Sequence, residues 1–440
     1  MAGNRTVIVG GGLAGLSCAR ELGGDFLLLE ANARLGGLCR TEEAGGFLFD
    51  WTGHWLHARD PEMRALIEGR WLAGNVTTVE RRALIYSQGV WTRFPYQVHT
   101  HGLPPATIAE NLIGFVEATS GEEGRALRER PLRHAGEFIQ RHLGSGFAKN
   151  FLVPYNEKLF TIPVEELSPE WGGRFIPRPK LSEVVRGALG LEGEGAGYNA
   201  TFWYPKTGGI ESLVRGLEQD VRALPGELRT SAKVERLDLS RRKILAGGEE
   251  VGFDDLVLTL PLASLAKIIA DPPADVAKAL QALRAVSVTV VELGAEDLGG
   301  QRFHWAYFPE RQYPFYRVGS PSEVHAALAP AGCRSFALEF SHRGPVDHAA
   351  LIESSIAALH ELKLLDRAKV RVSRARTIPT AYVLFDRAHE AARATILAHL
   401  AAHGVRVAGR YGRWEYSSME DALLTGRDAA RALRQKTTAR

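Results

Sequence analysis

The sequence predicts an α/β protein organised around a parallel sheet, and three observations near its amino terminus support this. Residues 6–38 begin with an apolar strand that leads directly into Gly10-x-Gly12-x-x-Gly15. A helix-forming stretch follows, and a second apolar strand then ends on Glu30. A strand, a glycine-rich turn, a helix and a second strand with a terminal acid make up the Rossmann-type unit, which binds dinucleotides.

Each part of this turn has a physical role in binding a dinucleotide. Gly10 permits the tight turn, Gly12 lets phosphates approach the backbone, and Gly15 lets the helix pack on the strand. The positive end of the helix faces the phosphates. The Glu30 carboxylate can bind ribose hydroxyls and would repel the 2′-phosphate of NADP. An ordinary βαβ turn is the alternative, because glycine-rich turns are common.

Composition describes an ordinary globular protein of more than one domain. The 440 residues suffice for two or three domains, and 45% of them are hydrophobic and 24% charged. A net charge of +3 without a basic run gives no indication of nucleic-acid binding. Three scattered cysteines argue against a disulfide framework or a Cys-based metal site and favour a cytoplasmic location. Neither a signal peptide nor a membrane span is predicted.

The segments after the first unit predict turns, a hairpin and a helical insertion. An apolar strand ends in Gly53-His54, which is a candidate active-site turn, although His54 alone is equally explained as a histidine bonded near a turn. Residues 84–91 predict a hairpin. Residues 104–191 have helical periodicity. The insertion is followed by residues 199–209, which predict a strand and a glycine turn before an amphipathic helix.

The rest of the chain predicts a return to the first sheet and then a second sheet. Strands are expected at residues 233–239, 243–245 and 255–259 beside the first strand, and at residues 285–293, 305–308 and 335–341 in the second sheet. A helix over residues 349–364, strands near residues 370–374 and 405–409, and a last helix starting near Ser418 complete the prediction.

Several stretches of the chain, in order, resemble the UDP-galactopyranose mutase family, nearer to its eukaryotic branch. They are GGGLAGL, FDWTGH, FPYQ, PYNEKLFTIP, WGGR, NATFWYPKTGGI, WAYFPERQYPFYR and GRYGRWEY. The motif Arg34-x-Gly36-Gly37-x-x-Arg40 resembles the sequel to the glycine turn in flavin enzymes of the amine-oxidase type. The resemblance implies a Rossmann-type FAD-binding domain (residues 1–80, 199–275 and 401–440), a helical domain (104–198) and a mixed, mainly antiparallel sheet domain (81–103 and 276–400).

The resemblance also implies an activity and its catalytic residues. The family interconverts pyranose and furanose forms of a nucleotide-diphosphate sugar by attack of reduced flavin N5 on the anomeric carbon. Arg174 and Arg317 match arginines that hold the diphosphate, which suits the planar, permanently charged guanidinium. Tyr307, Tyr382 and Tyr416 match tyrosines that contact the diphosphate, and His54 matches a histidine beside the flavin.

Further binding residues follow from the same resemblance. The implied substrate-binding residues are Phe94, Tyr96, Gln97, Asn156, Phe160 and Asn199, with Phe94 and Gln97 at the uridine. The implied FAD-binding residues are Gly10, Gly12, Gly15, Glu30, Arg34, Gly36, Gly37, Val234, Gly409, Arg410 and Met419, and NAD(P)H is a candidate reductant.

The chain departs from the family pattern at Thr52, Phe160 and the segment Ala381-Tyr382-Val383. These departures leave the sugar open, and the base and the oligomeric state are open as well. A FAD-dependent oxidoreductase of the amine-oxidase or protoporphyrinogen-oxidase type is the alternative function. It would share the FAD-binding domain and the glycine-pair motif.

Overall fold

The computed structural model describes residues 5–191 and 200–438, without the side chains of residues 123, 174, 175 and 436–438. The strands in this part of the chain are β1 (Thr6–Val9), β2 (Phe26–Leu29), β3 (Thr41–Ala44), β4 (Phe47–Asp50), β5 (Thr77–Glu80), β6 (Ala83–Ser87), β7 (Val90–Arg93), β8 (Thr201–Tyr204), β9 (Glu227–Arg229), β10 (Val234–Asp238), β11 (Lys243–Ala246), β12 (Glu249–Gly252), β13 (Asp255–Leu258), β14 (Ala285–Glu296), β15 (Trp305–Tyr307), β16 (Arg317–Gly319), β17 (Cys333–His342), β18 (Val370–Val383) and β19 (Val405–Val407). The helices are α1 (Leu13–Leu22), α2 (Pro61–Leu66), α3 (Pro105–Ser120), α4 (Glu122–Glu129), α5 (Ala135–Phe147), α6 (Val153–Phe160), α7 (Pro169–Phe175), α8 (Leu181–Ala188), α9 (Glu211–Arg222), α10 (Ala274–Ala282), α11 (Pro321–Val324), α12 (His348–Glu361), α13 (His389–Ala402), α14 (Gly409–Gly412) and α15 (Met419–Thr438).

The first sheet has five parallel strands in the order β19-β13-β1-β2-β9. Every residue of β1, β2 and β13 is buried, as expected for parallel strands covered on both faces. The chain leaves β1 at Gly10 and enters α1 at Leu13, and α15 packs along α1. The predicted Rossmann-type α/β fold is therefore confirmed.

The second sheet has seven strands in the order β18-β14-β17-β16-β15-β6-β7. Its pairings are antiparallel except for the parallel pair of β15 and β6. This is the predicted mixed, mainly antiparallel sheet, and the hairpin of β6 and β7 forms one of its edges. Helices α3 to α8 lie between the hairpin and β8 in the chain.

The structure corrects several boundaries predicted for the later elements. Only β13 of the strands expected to return to the first sheet pairs with β1, while β10, β11 and β12 form a separate antiparallel sheet. The reason is burial, because β13 is buried throughout whereas β10 and β11 contain both buried and exposed residues. Strand β18 is much longer than predicted, and β16 and α13 were not predicted.

None of the helices in residues 5–191 and 200–438 combines the length and the apolar character needed to cross a membrane.

Candidate active site

A cavity of about 2780 Å³ lies between the glycine turn, helix α6 and the second sheet. Pockets for a single small ligand usually measure roughly 300–1,000 Å³, so this cavity has room for more than one. Its lining includes Gly10, Gly12, Glu30, Gly36, Gly37, His54, Phe94, Gln97, Asn156, Val234, Tyr307, Arg317, Tyr382, Gly409, Arg410, Tyr416 and Met419. Most of the predicted site residues, distant in sequence, therefore border one space.

The glycine turn at one end of the cavity is shaped for close backbone approach. Gly10 has a φ of +105°, and a Cβ on Gly15 would lie 1.9 Å from the Gly10 carbonyl oxygen. Gly12 and Gly37 face each other, since a Cβ on Gly37 would lie 3.3 Å from the Gly12 Cα. Gly12 has no side chain to cap α1, so the positive end of this helix opens toward the cavity. These features fit a dinucleotide pyrophosphate.

Glu30 lies beside this turn and is almost completely buried. One carboxylate oxygen accepts a hydrogen bond from the Gly11 amide and the other from the Asn32 amide, each at 2.8 Å. The acid therefore holds the glycine turn in place. The first-named oxygen, Oε2, keeps a lone pair with which Glu30 can accept from a ribose hydroxyl, whereas Oε1 also accepts from the Asn32 side-chain amide at 2.5 Å.

The two arginines of the motif around Gly36 and Gly37 have different positions. Arg34 is half exposed, lies outside the cavity lining and pairs with Glu42 at 3.6 Å and Glu211 at 3.7 Å. Arg40 is buried and lines the cavity. Its Nη2 donates to the Arg34 carbonyl at 2.7 Å, while its Nε has no partner among the described residues. Of these two arginines, Arg40 therefore borders the cavity and Arg34 does not.

His54 ends the turn after β4 and is enclosed by protein, with part of its ring facing the cavity. Burial, aided by Arg410 and Arg317 and opposed by a bond to the Thr52 backbone, lowers the pKa of His54 to about 4. His54 is therefore neutral near pH 7. Its Nδ1 lies 3.1 Å from the Thr52 carbonyl, which can only accept, so Nδ1 carries the hydrogen and Nε2 is an acceptor.

Arg317 begins β16 and is held by Glu339 on the adjacent strand β17. Its Nε and Nη2 donate to the carboxylate at 3.1 and 2.7 Å, and the Tyr316 hydroxyl donates to the same carboxylate. Burial alone would lower the pKa of Arg317, but Glu339 raises the pKa well above its ordinary value. The guanidinium is therefore a fixed cation, with Nη1 left to bind a further acceptor.

Tyrosine rings form a group around Arg317 and Arg410 in the cavity. Tyr382 and Tyr416 are nearly parallel, with centroids 6.3 Å apart, and the Arg410 guanidinium lies 4.4 Å from the Tyr416 ring. Burial raises the pKa of Tyr382 to about 12 although Arg317 opposes this, and burial also raises the pKa of Tyr307. These phenols therefore keep their protons and act as hydrogen-bond donors. The Tyr307 hydroxyl accepts from the Trp305 indole at 2.9 Å, so its own hydrogen can point elsewhere.

Phe94 and Gln97, predicted to bind uridine, both line the cavity. The Arg81 guanidinium lies 5.2 Å from the Phe94 ring, and Tyr307 contacts the same ring at a centroid distance of 5.2 Å. The Gln97 amide nitrogen lies 3.4 Å from the Pro177 carbonyl oxygen. A stacking ligand at this end would therefore meet Arg81 as well as Phe94.

Three predicted substrate residues serve packing or internal hydrogen bonds. Tyr96 is fully buried and stacks on Phe151 at 4.9 Å, and Phe160 is fully buried against Trp171 at 4.6 Å, so neither lines the cavity. Asn156 lines the cavity, but its amide donates to the Leu152 carbonyl at 2.7 Å and accepts from the Trp171 indole at 2.9 Å.

Two other predicted site residues cannot be located relative to the cavity. The side chain of Arg174, in α7, and the whole of Asn199 lie outside the described residues.

The structure adds cavity residues that the sequence analysis did not assign: Arg40, Arg81, Tyr155 and Glu339. Arg40 and Tyr155 stand inside motifs that carried the resemblance, so the signal was present in the sequence. Arg81 and Glu339 carry no local signal, because they reach the site through the pairing of β6 with β15 and of β16 with β17.

A glycine turn shaped for a dinucleotide, in a cavity that has room for a further ligand beside the second sheet, defines a dinucleotide-binding protein of the Rossmann type. The chain belongs to the family of flavin containing amine oxidoreductases, whose family model matches residues 13–434. This membership implies FAD as the cofactor, and the cradle around Gly12 and Gly37 fits it.

Solved structures share this fold along the whole chain. Reduced UDP-galactopyranose mutase superposes with a TM-score of 0.90 and 24% identity over 100% of this chain and 95% of the other. Cyclohexylamine oxidase from Brevibacterium oxydans IH-35A superposes with a TM-score of 0.69 and 14% identity over 99% of both chains. At these identities the likeness shows the fold alone.

Curated relatives match a shorter segment. Coproporphyrinogen III oxidase of Mycobacterium bovis is 37% identical over 123 residues, which is 25% of this chain and 25% of that protein. The chain thus spans about a quarter of the length of this relative.

Proposed function

We propose that this protein is a flavin-dependent mutase that interconverts pyranose and furanose forms of a nucleotide-diphosphate sugar similar to UDP-galactose. The observation that carries the proposal is the partly buried Arg317, fixed by Glu339 and surrounded by protonated tyrosines in the cavity that also holds the glycine turn. A leaving diphosphate needs such cationic and phenolic donors. A cationic amine substrate would instead be repelled by Arg317 and Arg410.

The roles of the chain's own groups follow from their chemistry. Reduced FAD, when bound, supplies a nucleophilic N5 toward the anomeric carbon. Arg317 would bind the diphosphate while the bond to the sugar is broken and would keep it in place for its return. Tyr307, Tyr382 and Tyr416 would donate hydrogen bonds to its oxygens, and neutral His54 would accept a hydrogen bond through Nε2. Arg174, whose side chain is not described, is proposed as the second arginine.

The alternative is a FAD-dependent oxidoreductase of the amine-oxidase or porphyrinogen-oxidase type. The family match and the coproporphyrinogen III oxidase relative favour this alternative. The two functions differ in the redox state that the flavin needs before turnover. The mutase needs reduced flavin at the start, whereas the oxidase starts from oxidised flavin and consumes oxygen.

The deciding experiment supplies both kinds of substrate to the purified protein. Protein reduced with dithionite, and in parallel with NAD(P)H, is mixed with UDP-galactose and related nucleotide sugars, and products are followed by NMR. We expect a furanose product from at least one sugar and no turnover with oxidised flavin. Oxygen consumption with an amine or a porphyrinogen, together with no furanose from any sugar, would establish the oxidase instead.

A further inference from the structure

Lys158 on α6 is bound by the backbone of a single loop. This loop, residues 308–316, joins the end of β15 at Tyr307 to the start of β16 at Arg317. The ammonium donates to the carbonyl oxygens of Phe308 at 2.7 Å, Glu310 at 2.5 Å, Tyr313 at 2.7 Å and Phe315 at 3.4 Å. An ammonium has three N–H donors, so these four carbonyls use its whole capacity.

The loop depends on a cation at this place. Four carbonyl dipoles point at one atom, and a neutral aliphatic side chain could not satisfy them. Lys158 is half-buried, so water would replace only part of these bonds. Burial lowers the pKa of Lys158 to about 7, and Glu310 in the loop opposes this shift. The four carbonyls accept from the protonated amine and therefore favour the ammonium form.

A second contact fixes the loop from its other side. The Glu310 carboxylate accepts from the Gln88 amide in the turn between β6 and β7. Arg311 projects outward and lies 3.7 Å from Glu157, with most of its side chain exposed. The loop is thus held between the hairpin and α6, and Lys158 provides the connection to the helix.

Helix α6 and the two ends of the loop meet at the cavity. Tyr155, one turn before Lys158, contacts the Tyr307 ring at 5.3 Å and the Tyr316 ring at 6.4 Å. A shift of the loop against α6 would therefore move Tyr307 and Arg317 relative to Tyr155. Displacements of about 1 Å at such groups can cost as much as 10²-fold in rate.

We propose that Lys158 is a positioning residue, whose ammonium sets the conformation of residues 308–316 and so places Tyr307 and Arg317 at the cavity. The role of these groups toward a nucleotide sugar rests on the proposed function. The effect of Lys158 on the loop and its two ends is independent of that function.

The test compares Lys158→Met with Lys149→Met. Lys149 is exposed, lies on the helical segment just before α6, and pairs with Glu110 at 2.7 Å. Hydrogen exchange is measured on amides 307–317 of the FAD-loaded protein, and UDP affinity, kcat and KM are measured on the reduced protein. We expect exchange roughly tenfold faster in this segment, and kcat roughly 10- to 100-fold lower, for Lys158→Met alone.

A rescue separates positioning from general stability. Lys158→Cys treated with 2-bromoethylamine regains an ammonium at nearly the native distance and should recover exchange protection, UDP affinity and turnover, while the untreated variant should not. The treated wild type controls for Cys333, which is partly accessible. If the Lys158→Met variant does not fold, Lys158→Gln is used in its place.

The outcomes are distinct. Unchanged exchange at residues 307–317 in Lys158→Met would overturn the proposal, and so would faster exchange with unchanged UDP affinity and kcat. A wild type that neither binds UDP nor forms furanose would remove the proposed function. In that case, the exchange at Tyr307 and Arg317, which needs no substrate, still decides whether Lys158 positions them.

Discussion

At the scale of single residues, the chemistry of the cavity depends on how Arg317 is held. Glu339 binds two of its nitrogens and Tyr316 binds Glu339, so the guanidinium enters the cavity already oriented. The carboxylate offsets part of its charge. A diphosphate would therefore compete with Glu339, which suits a ligand that must be held during reaction and then released.

Arg317→Ala should abolish most turnover while the protein keeps its FAD. Loss of one charge-assisted contact to a buried diphosphate should cost about 2–5 kcal/mol in kcat/KM. FAD should remain because Arg317 lies on the second sheet, away from the glycine turn. Arg371→Ala, an exposed arginine on β18 paired with Glu296 at 2.8 Å, is the matched control. Thermal unfolding is recorded as well, since the variant leaves Glu339 without its cation. A normal rate would remove Arg317 from the mechanism.

His54 should make the stability of the protein depend on pH in a defined window. Its folded pKa of about 4 lies below its ordinary value of 6.5, so the unfolded chain binds a proton that the folded protein excludes. The contribution of neutral His54 to the free energy of unfolding is fully present above pH 6.5 and is lost as the pH falls toward 4. In urea unfolding of the FAD-loaded protein, His54→Gln should flatten this slope, whereas the exposed His348→Gln should leave it unchanged. Parallel slopes in wild type and His54→Gln would contradict the assignment.

At the scale of elements, the sequence predicted what local patterns encode. Strands β1 and β2 are almost entirely apolar and the glycines between them have a characteristic spacing, so the first βαβ unit could be placed from sequence alone. Strand β18 could not be outlined because charged residues interrupt it. Arg374 and Arg376 are stabilised there because Glu292 on the neighbouring strand and Glu42 on β3 each pair with both.

The same limit applies to the candidate site. Arg34 and Arg40 belong to one motif, but which of them reaches the cavity is decided by Glu42 and Glu211, which attract Arg34 to the surface. Glu211 is distant in sequence, so no local pattern could show this. The bond of Asn156 to the Trp171 indole is also invisible in the sequence, because it forms only when α6 and α7 pack.

At the scale of the whole molecule, a buried ionic group joins the dinucleotide-binding part to the second sheet. Glu42, on the β3 strand that follows the glycine turn, binds Arg376 of β18 at 2.7 and 2.8 Å. Glu292 on β14 is fully buried, bonds to Arg374 and lies 3.6 Å from Arg376. Arg376 also lies 4.6 Å from the Trp51 ring, two residues before Gly53-His54. The second sheet is thus connected through charges to the turn that carries His54.

Glu292→Gln should therefore destabilise the whole protein and not only one strand. Burial raises the pKa of Glu292 while Arg376 and Arg374 oppose the shift, so the pair of arginines is what keeps this acid in the interior. Removing its charge leaves two arginines with one acid, Glu42, and breaking a buried ion pair from one side costs about 3–5 kcal/mol. Urea unfolding should show a lower midpoint by both far-UV circular dichroism and flavin fluorescence.

The control for this prediction lies on the same strand. Glu296, at the end of β14, also pairs with two cations, Lys369 at 3.1 Å and Arg371 at 2.8 Å, but it is exposed. Glu296→Gln should leave the midpoint unchanged, because exposed pairs are screened by water and salt. Equal effects of the two substitutions would mean that burial does not determine how much the ionic group around Glu292 stabilises the protein. If only the circular dichroism midpoint shifts, the two parts of the molecule unfold separately and the ionic group does not couple them.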